Sequence, residues 1–442
     1  MPTLRSTMVA AVAVALVLVA AACGRRGSSG AKEGELNVAL FKGGYGIDFF
    51  EKAAKEYEAA HPGKRVRVWG NPRVWEQLRQ QFVAGTPPDL SWPGWGMDYW
   101  PLVYENKVIP LDSYLDGPPY EGTGTWRETF EPSLLALGRY EDKQYMLPYF
   151  FSISGWWYDK FLFAKHGWQP PRTWSELLAV CAQIKAAGIA PIAYQGKYPY
   201  YAIAGFLVPW AISHGGMQVF DDCQNLVPGA WKSASMLDAA RRIKQLMDLG
   251  YFQKGANGMS HTEAQMEFVT GRAAMIPCGT WLHSEMREQL PAEKFEMTFF
   301  LPPVLYDGKG DPTSVAIGIE PWVIPTDGKN RQLAVDFYKY LTTPTKARQF
   351  VEEKGTLMAV KGSDQARMPA YLVAPAAAFR AAKTAYSSEY AQWYPALGKA
   401  SQDAMSALMT GEATPEQFVQ RLEDAAEKAR QDTRLPKHKV VR

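Results

Sequence analysis

The side chains of this chain best suited to chemistry are aromatic rings set beside polar groups in stretches rich in glycine and proline. Trp92-Pro93-Gly94-Trp95-Gly96-Met97-Asp98 joins two tryptophans to a carboxylate, and Phe150 to Tyr158 carries five aromatics. Gly279-Thr280-Trp281, Glu320-Pro321-Trp322 and Gln392-Trp393-Tyr394 add more, within a total of 15 tryptophans. A sugar presents an apolar C–H face and a hydroxyl edge, so a pocket for it needs flat rings plus carboxylates and amides that hydrogen-bond in a fork. The same rings also fill cores. Trp156 and Trp157 are adjacent in a predicted strand and should face opposite ways, which assigns one of them to the core.

Other chemistries find little support. The chain has no His-Glu-x-x-His, no Gly-x-Ser-x-Gly and no Walker loop, and its 6 histidines do not cluster at ligand spacing. Gly44-Tyr45-Gly46 follows a strand, yet Phe49 stands where a dinucleotide loop needs its third glycine. Cys278, in Ile276-Pro277-Cys278-Gly279, reads as a small buried thiol. A secreted glycosidase would need two carboxylates at a defined separation, and no such pair announces itself. An iron receptor would want clustered tyrosine, histidine or carboxylate ligands, and a polyamine receptor a ring of acids. The reading is a binding protein without enzymatic activity, cofactor or metal.

The elements that must position these rings alternate. Leu36 to Phe41 is a predicted strand and a helix follows from about Ile47, stopped by His61-Pro62-Gly63. Arg65 to Trp69 alternates as a strand, Val74 to Val83 is helical, and Asp89 to Trp92 begins the next strand. Strands separated by helices of this length give a mainly parallel sheet with a crevice at the strand carboxyl ends. Farther on, Thr173-Trp174-Ser175-Glu176 and Ser260-His261-Thr262-Glu263 are capping boxes, and Thr414-Pro415-Glu416-Gln417 opens a last amphipathic helix. Gln431 to Arg442 reads as a basic tail that does not fold alone.

The amino terminus carries its own signature. Arg5 precedes an apolar run from Met8 to Ala22, about 15 residues against the roughly 20 that span a bilayer, and Cys23 follows it. That is an export signal ending at a lipidation site, with a plain secretory signal and an uncleaved anchor as rivals. Lipid on Cys23 would supply the two-chain membrane affinity that a single acyl chain cannot. Removing residues 1–22 takes away Arg5 alone, so the formal charge falls from +3 to +2, too balanced for a nucleic-acid partner. Without Cys23, three cysteines remain, so at most one disulfide forms within the chain.

Taken in order, several segments resemble the carbohydrate-type extracellular solute-binding proteins of ABC importers, the maltose-binding-protein-like family 1. They are Phe82 to Leu90, Pro101 to Leu111, Tyr158-Asp159-Lys160 with Phe163 to Trp168 and Pro170 to Glu176, Gly271 to Trp281, and Ala334 to Thr342. The resemblance implies an α/β, two-lobed periplasmic-binding-protein-like fold (type II), with mainly parallel sheets flanked by helices and the ligand cleft between lobes. It divides the chain into a signal (1–22), a tether (23–33), a first lobe (34–149 and 297–341) and a second lobe (150–296 and 342–442). It also implies a carbohydrate ligand, permease partners, a monomer, and a place on the extracytoplasmic face of the membrane held by lipid alone. Carried onto this sequence, it gives Trp281 and Trp393 as sugar-stacking rings of the second lobe. Trp92 or Trp95, with Asp98, would serve from the first lobe, and Tyr45, Glu320 and Trp322 would complete the set. Phe41-Lys42-Gly43-Gly44 replaces an acidic first loop, which argues against a malto-oligosaccharide. The Tyr158 to Gly188 region resembles binders of N-acetylglucosamine and its disaccharide.

Overall fold

The computed structural model describes residues 34–305 and 307–440; the signal, Cys23 and the tether lie outside the described residues. The chain opens with β1 (Glu35–Phe41), α1 (Asp48–Ala60), β2 (Arg65–Asn71), α2 (Val74–Val83) and β3 (Leu90–Trp92), close to the elements expected. The strands form a parallel sheet in the order β2-β1-β3. Buried Asp89 ties it together, its carboxylate accepting the Asn37 N–H at 2.8 Å and the Asn330 N–H at 2.7 Å. One face of α1, with Phe49, Phe50, Ala53, Ala54 and Tyr57, is buried against this lobe.

After α3 (Tyr99–Tyr104) comes β4 (Leu147–Asp159), a strand of 13 residues that belongs to both lobes. Leu147, Tyr149 and Phe150 sit in the first-lobe core with Phe50 and Trp322, while Ile153 and Trp157 sit in the second-lobe core with Ile276 and Phe299. The chain continues through α4 (Trp174–Ala186), β5 (Ala190–Ile192), α5 (His261–Val269), β6 (Ala273–Gly279), α6 (Leu282–Met286), β7 (Met297–Phe300) and β8 (Val315–Trp322). The last third holds α7 (Arg331–Leu341), α8 (Pro344–Lys354), β9 (Leu357–Met358), β10 (Ala385–Tyr386), α9 (Tyr390–Trp393), α10 (Pro395–Thr410) and α11 (Pro415–Gln431). Capping boxes at Thr173, Ser260 and Thr414 start α4, α5 and α11 at the positions read from sequence.

The second sheet runs β10-β8-β4-β6-β5, with β7 and β9 also on β4. It is mixed: β4 pairs antiparallel with β6, β7, β8 and β9. Direction explains the β8 pairing, because β4 carries the chain out of the first lobe and β8 brings it back, so the two neighbours must run opposite ways. Both Trp156 and Trp157 are fully buried, since β4 is covered on both faces, so the expectation of one core ring falls short. The lobe boundaries also differ from those expected. Residues 297–300 pair with Trp156 to Asp159, in the second lobe, whereas Ala347, Phe350 and Val351 of α8 lie in the first-lobe core. The basic tail is ordered against the body, with His438 only 7% exposed.

Candidate binding site

The loop after β1, the end of β6 with α6, and the middle of β8 converge where the lobes touch. A Cβ on Gly44 would stand 3.2 Å from Glu285 Cγ, and the Ser284 hydroxyl donates to the Lys354 carbonyl at 3.5 Å. These contacts join α6 of the second lobe to the β1–α1 loop and α8 of the first.

Tyr45 is buried on the first-lobe side, its ring set edge-on to Phe150 with the ring centres 5.1 Å apart. Burial pushes its phenol pKa up, and Glu320 and Glu285 are close enough to add to the shift. The Thr356 hydroxyl beside it eases the shift but makes no well-aligned hydrogen bond. Glu320 keeps part of its surface open, yet the surrounding protein pushes its carboxyl up to about 7, partly offset by the Trp92 indole N–H, which donates to it at 2.8 Å. Glu285 is likewise raised by burial, with Gln265 donating to one oxygen at 2.6 Å and the His261 ring 3.9 Å from the other. Gln265 is itself buried and its amide oxygen has no partner.

Trp281 is half-buried and lies directly over Gly279, where an added Cβ would come within 1.9 Å of the ring. The glycine before the tryptophan is therefore a spatial requirement of the platform. Tyr201 lies 6.3 Å from this indole and stacks on Tyr200 at 4.3 Å and 28°. Tyr200 is 40% exposed, and the protein around its phenol still raises its pKa. Sequence reasoning missed this pair; its signal was the aromatic run Tyr198-Pro199-Tyr200-Tyr201.

The structure thus sets Tyr45 near Glu320, with Trp92 behind, and packs Trp281 against the cores of both lobes. Trp92 and Trp322 are corrections: both are fully buried, stacked on each other at 6.3 Å and 10° among Phe50, Phe150 and Tyr149, so neither offers a face. What Trp92 does instead is donate to Glu320. Trp95 is 62% exposed and rests against Trp75 at 4.9 Å, and Asp98 stays exposed ahead of α3 with no capping bond; neither joins the cluster. Trp393 is also corrected as a platform, because the His438 imidazole lies parallel to it at 4.8 Å and 7°.

Such an arrangement can stack, donate and accept. Residues 43–348 match the model for bacterial extracellular solute-binding proteins. The chain belongs to this family. This solute-binding protein is 28% identical over 331 residues to a diacetylchitobiose-binding protein, NgcE, of Streptomyces coelicolor, covering 74% of this chain and 70% of that one. It is 24% identical over 351 residues to a multiple sugar-binding protein of Streptococcus mutans, covering 77% and 79%. Among solved structures it resembles a chitin oligosaccharide binding protein, with a TM-score of 0.72 and 24% identity over 87% of this chain and 95% of that one. It also resembles RafE in complex with raffinose, with a TM-score of 0.70 and 20% identity over 89% and 99%. The two-lobed fold is theirs. A protein of this family binds its solute and is not an enzyme. Among the described residues no helix is long and apolar enough to cross a membrane.

Proposed function

We propose that this protein is a lipid-anchored receptor on the extracytoplasmic face of the cell membrane. It takes a sugar or short oligosaccharide between its lobes and delivers it unaltered to an ABC importer permease. The observation that carries the reading is Trp281 laid over Gly279, beside Tyr201 and its stacked neighbour Tyr200 and packed against the cores of both lobes. Rings there give a C–H face its platform, and Glu320, its carboxyl pushed up to about 7, accepts from a sugar hydroxyl when ionised and donates to a hydroxyl or acetamide oxygen when protonated. Names of relatives that bind diacetylchitobiose and multiple sugars make a β-linked N-acetylglucosamine disaccharide the first ligand to test.

Titration calorimetry with that disaccharide and a panel of sugars, beside spermidine and ferric citrate, tests the proposal. Heat from a sugar that is recovered intact is the expected result. Binding of spermidine or ferric citrate with no response to any sugar overturns it, as does release of shortened glycan. The anchor has its own test: Cys23→Ser should leave the membrane fraction while its purified body binds sugar as before, and unchanged membrane retention overturns the lipid reading.

A further inference from the structure

The C-terminal tail is where the two lobes meet a second time. Past α11 the chain turns back, and His438 enters a cage of five rings. Trp100 and Tyr104 of α3 lie 5.0 and 5.8 Å away, and Tyr140, in the small hairpin that follows, 5.2 Å. From the other side come Trp393, parallel at 4.8 Å, and Tyr394 at 6.3 Å. The first three belong with the first lobe, the last two with the C-terminal helices of the second. Polar contacts fix the segment: the His438 N–H donates to the Tyr394 hydroxyl at 3.0 Å, the Val440 N–H to the Asn225 side-chain oxygen at 2.8 Å, and the imidazole Nε2 meets the Tyr104 hydroxyl. Any separation of α3 from α9 must pull the imidazole out of one half of its cage.

We propose that residues 432–440 are a strap between the lobes, with the His438 ring as the shared contact that resists their opening. The titratable groups packed on the imidazole are the Tyr104, Tyr140 and Tyr394 phenols, all raised by burial and so uncharged near neutral pH. Burial also lowers His438 from 6.5 to about 4. The cage therefore holds the neutral ring. Its hold is complete well above the released pKa and weakens by roughly 80-fold as pH falls from 6.5 to 4, because the released imidazole takes up a proton that the seated one refuses.

Hydrogen exchange on the full ligand-free chain tests this without reference to any sugar. His438→Ala at pH 7.5 should lower protection at α3 and α9. If the tail is a strap, protection should also fall about tenfold in the β1–α1 loop and α6, which meet across the lobes away from the tail. His438→Phe keeps a ring in the cage and should retain protection at both places. Its protection at α3 and α9, away from Glu320 and Glu285, should then change little between pH 7 and 4.5, where the wild type loosens. Protection lost only beside the tail in His438→Ala, or not at all, overturns the strap. So does a wild type whose lobe contacts keep the same protection at pH 4.5 as at pH 7.

Discussion

At the scale of single residues, two tryptophans with the same sequence credentials should behave in opposite ways. Trp281 is half-buried over a glycine, whereas Trp322 is fully buried among Phe50, Tyr149 and Tyr338. Trp281→Ala is expected to weaken sugar binding by about 1–3 kcal/mol with a small change in melting temperature. Trp322→Ala leaves a cavity and should cost about 3–5 kcal/mol of stability. Calorimetry and thermal melts on both variants decide it, and a Trp281→Ala protein that melts far below wild type but binds normally would remove Trp281 from the site. Glu320 adds a pH signature. Its folded pKa of about 7 is raised above the ordinary value of 4.5. Its contribution to stability is thus fully present below pH 4.5 and is lost as pH rises through 7. Glu320→Gln keeps an acceptor for the Trp92 indole and cannot ionise. The variant should therefore lose less stability than wild type between pH 5 and 8, and equal losses would contradict the raised pKa.

At the scale of elements, the end of β6 decides whether the platform exists. A Cβ at Gly279 has no room while the Trp281 ring lies over it. Gly279→Ala should displace the indole and weaken sugar binding by about as much as Trp281→Ala. With the indole gone there is room for the methyl, so the double variant should bind no worse than Trp281→Ala alone. Binding unaffected by Gly279→Ala would show that the ring does not need its present seat. Elements of this kind were largely legible in the sequence, because their causes are local. The helix over residues 74–83 follows from its periodicity, and the starts at Thr173, Ser260 and Thr414 follow from side chains three residues apart. The site was half legible. Tyr45 and Glu320 lie near each other, but which face of Trp92 or Trp322 is covered depends on Phe50, Phe150 and Tyr149, far away in the chain. The stretch from Gln431 to Arg442 reads as a basic tail in the sequence, because nothing local announces that His438 will find rings from positions 100, 104, 140, 393 and 394.

For the whole molecule, the sharing of β4 and β8 sets how the lobes can move and how they can melt. Each strand has one end in the first-lobe core and the other in the second, with Leu147 facing Trp322 at one end and Ser154 facing Ala316 at the other. Closure must bend these strands, since no connection there is a free linker, and neither lobe can unfold without stripping strands from its neighbour. A single cooperative transition is therefore expected by calorimetry. A ligand held between the lobes stabilises both together, by about 2.7 kcal/mol at a hundred times its dissociation constant. For roughly 400 residues, with an unfolding entropy near 2 cal/mol/K each, that is a rise of about 3 °C. Two separated transitions, with sugar moving only one of them, would mean that the lobes are energetically independent and that the ligand rests on one lobe alone.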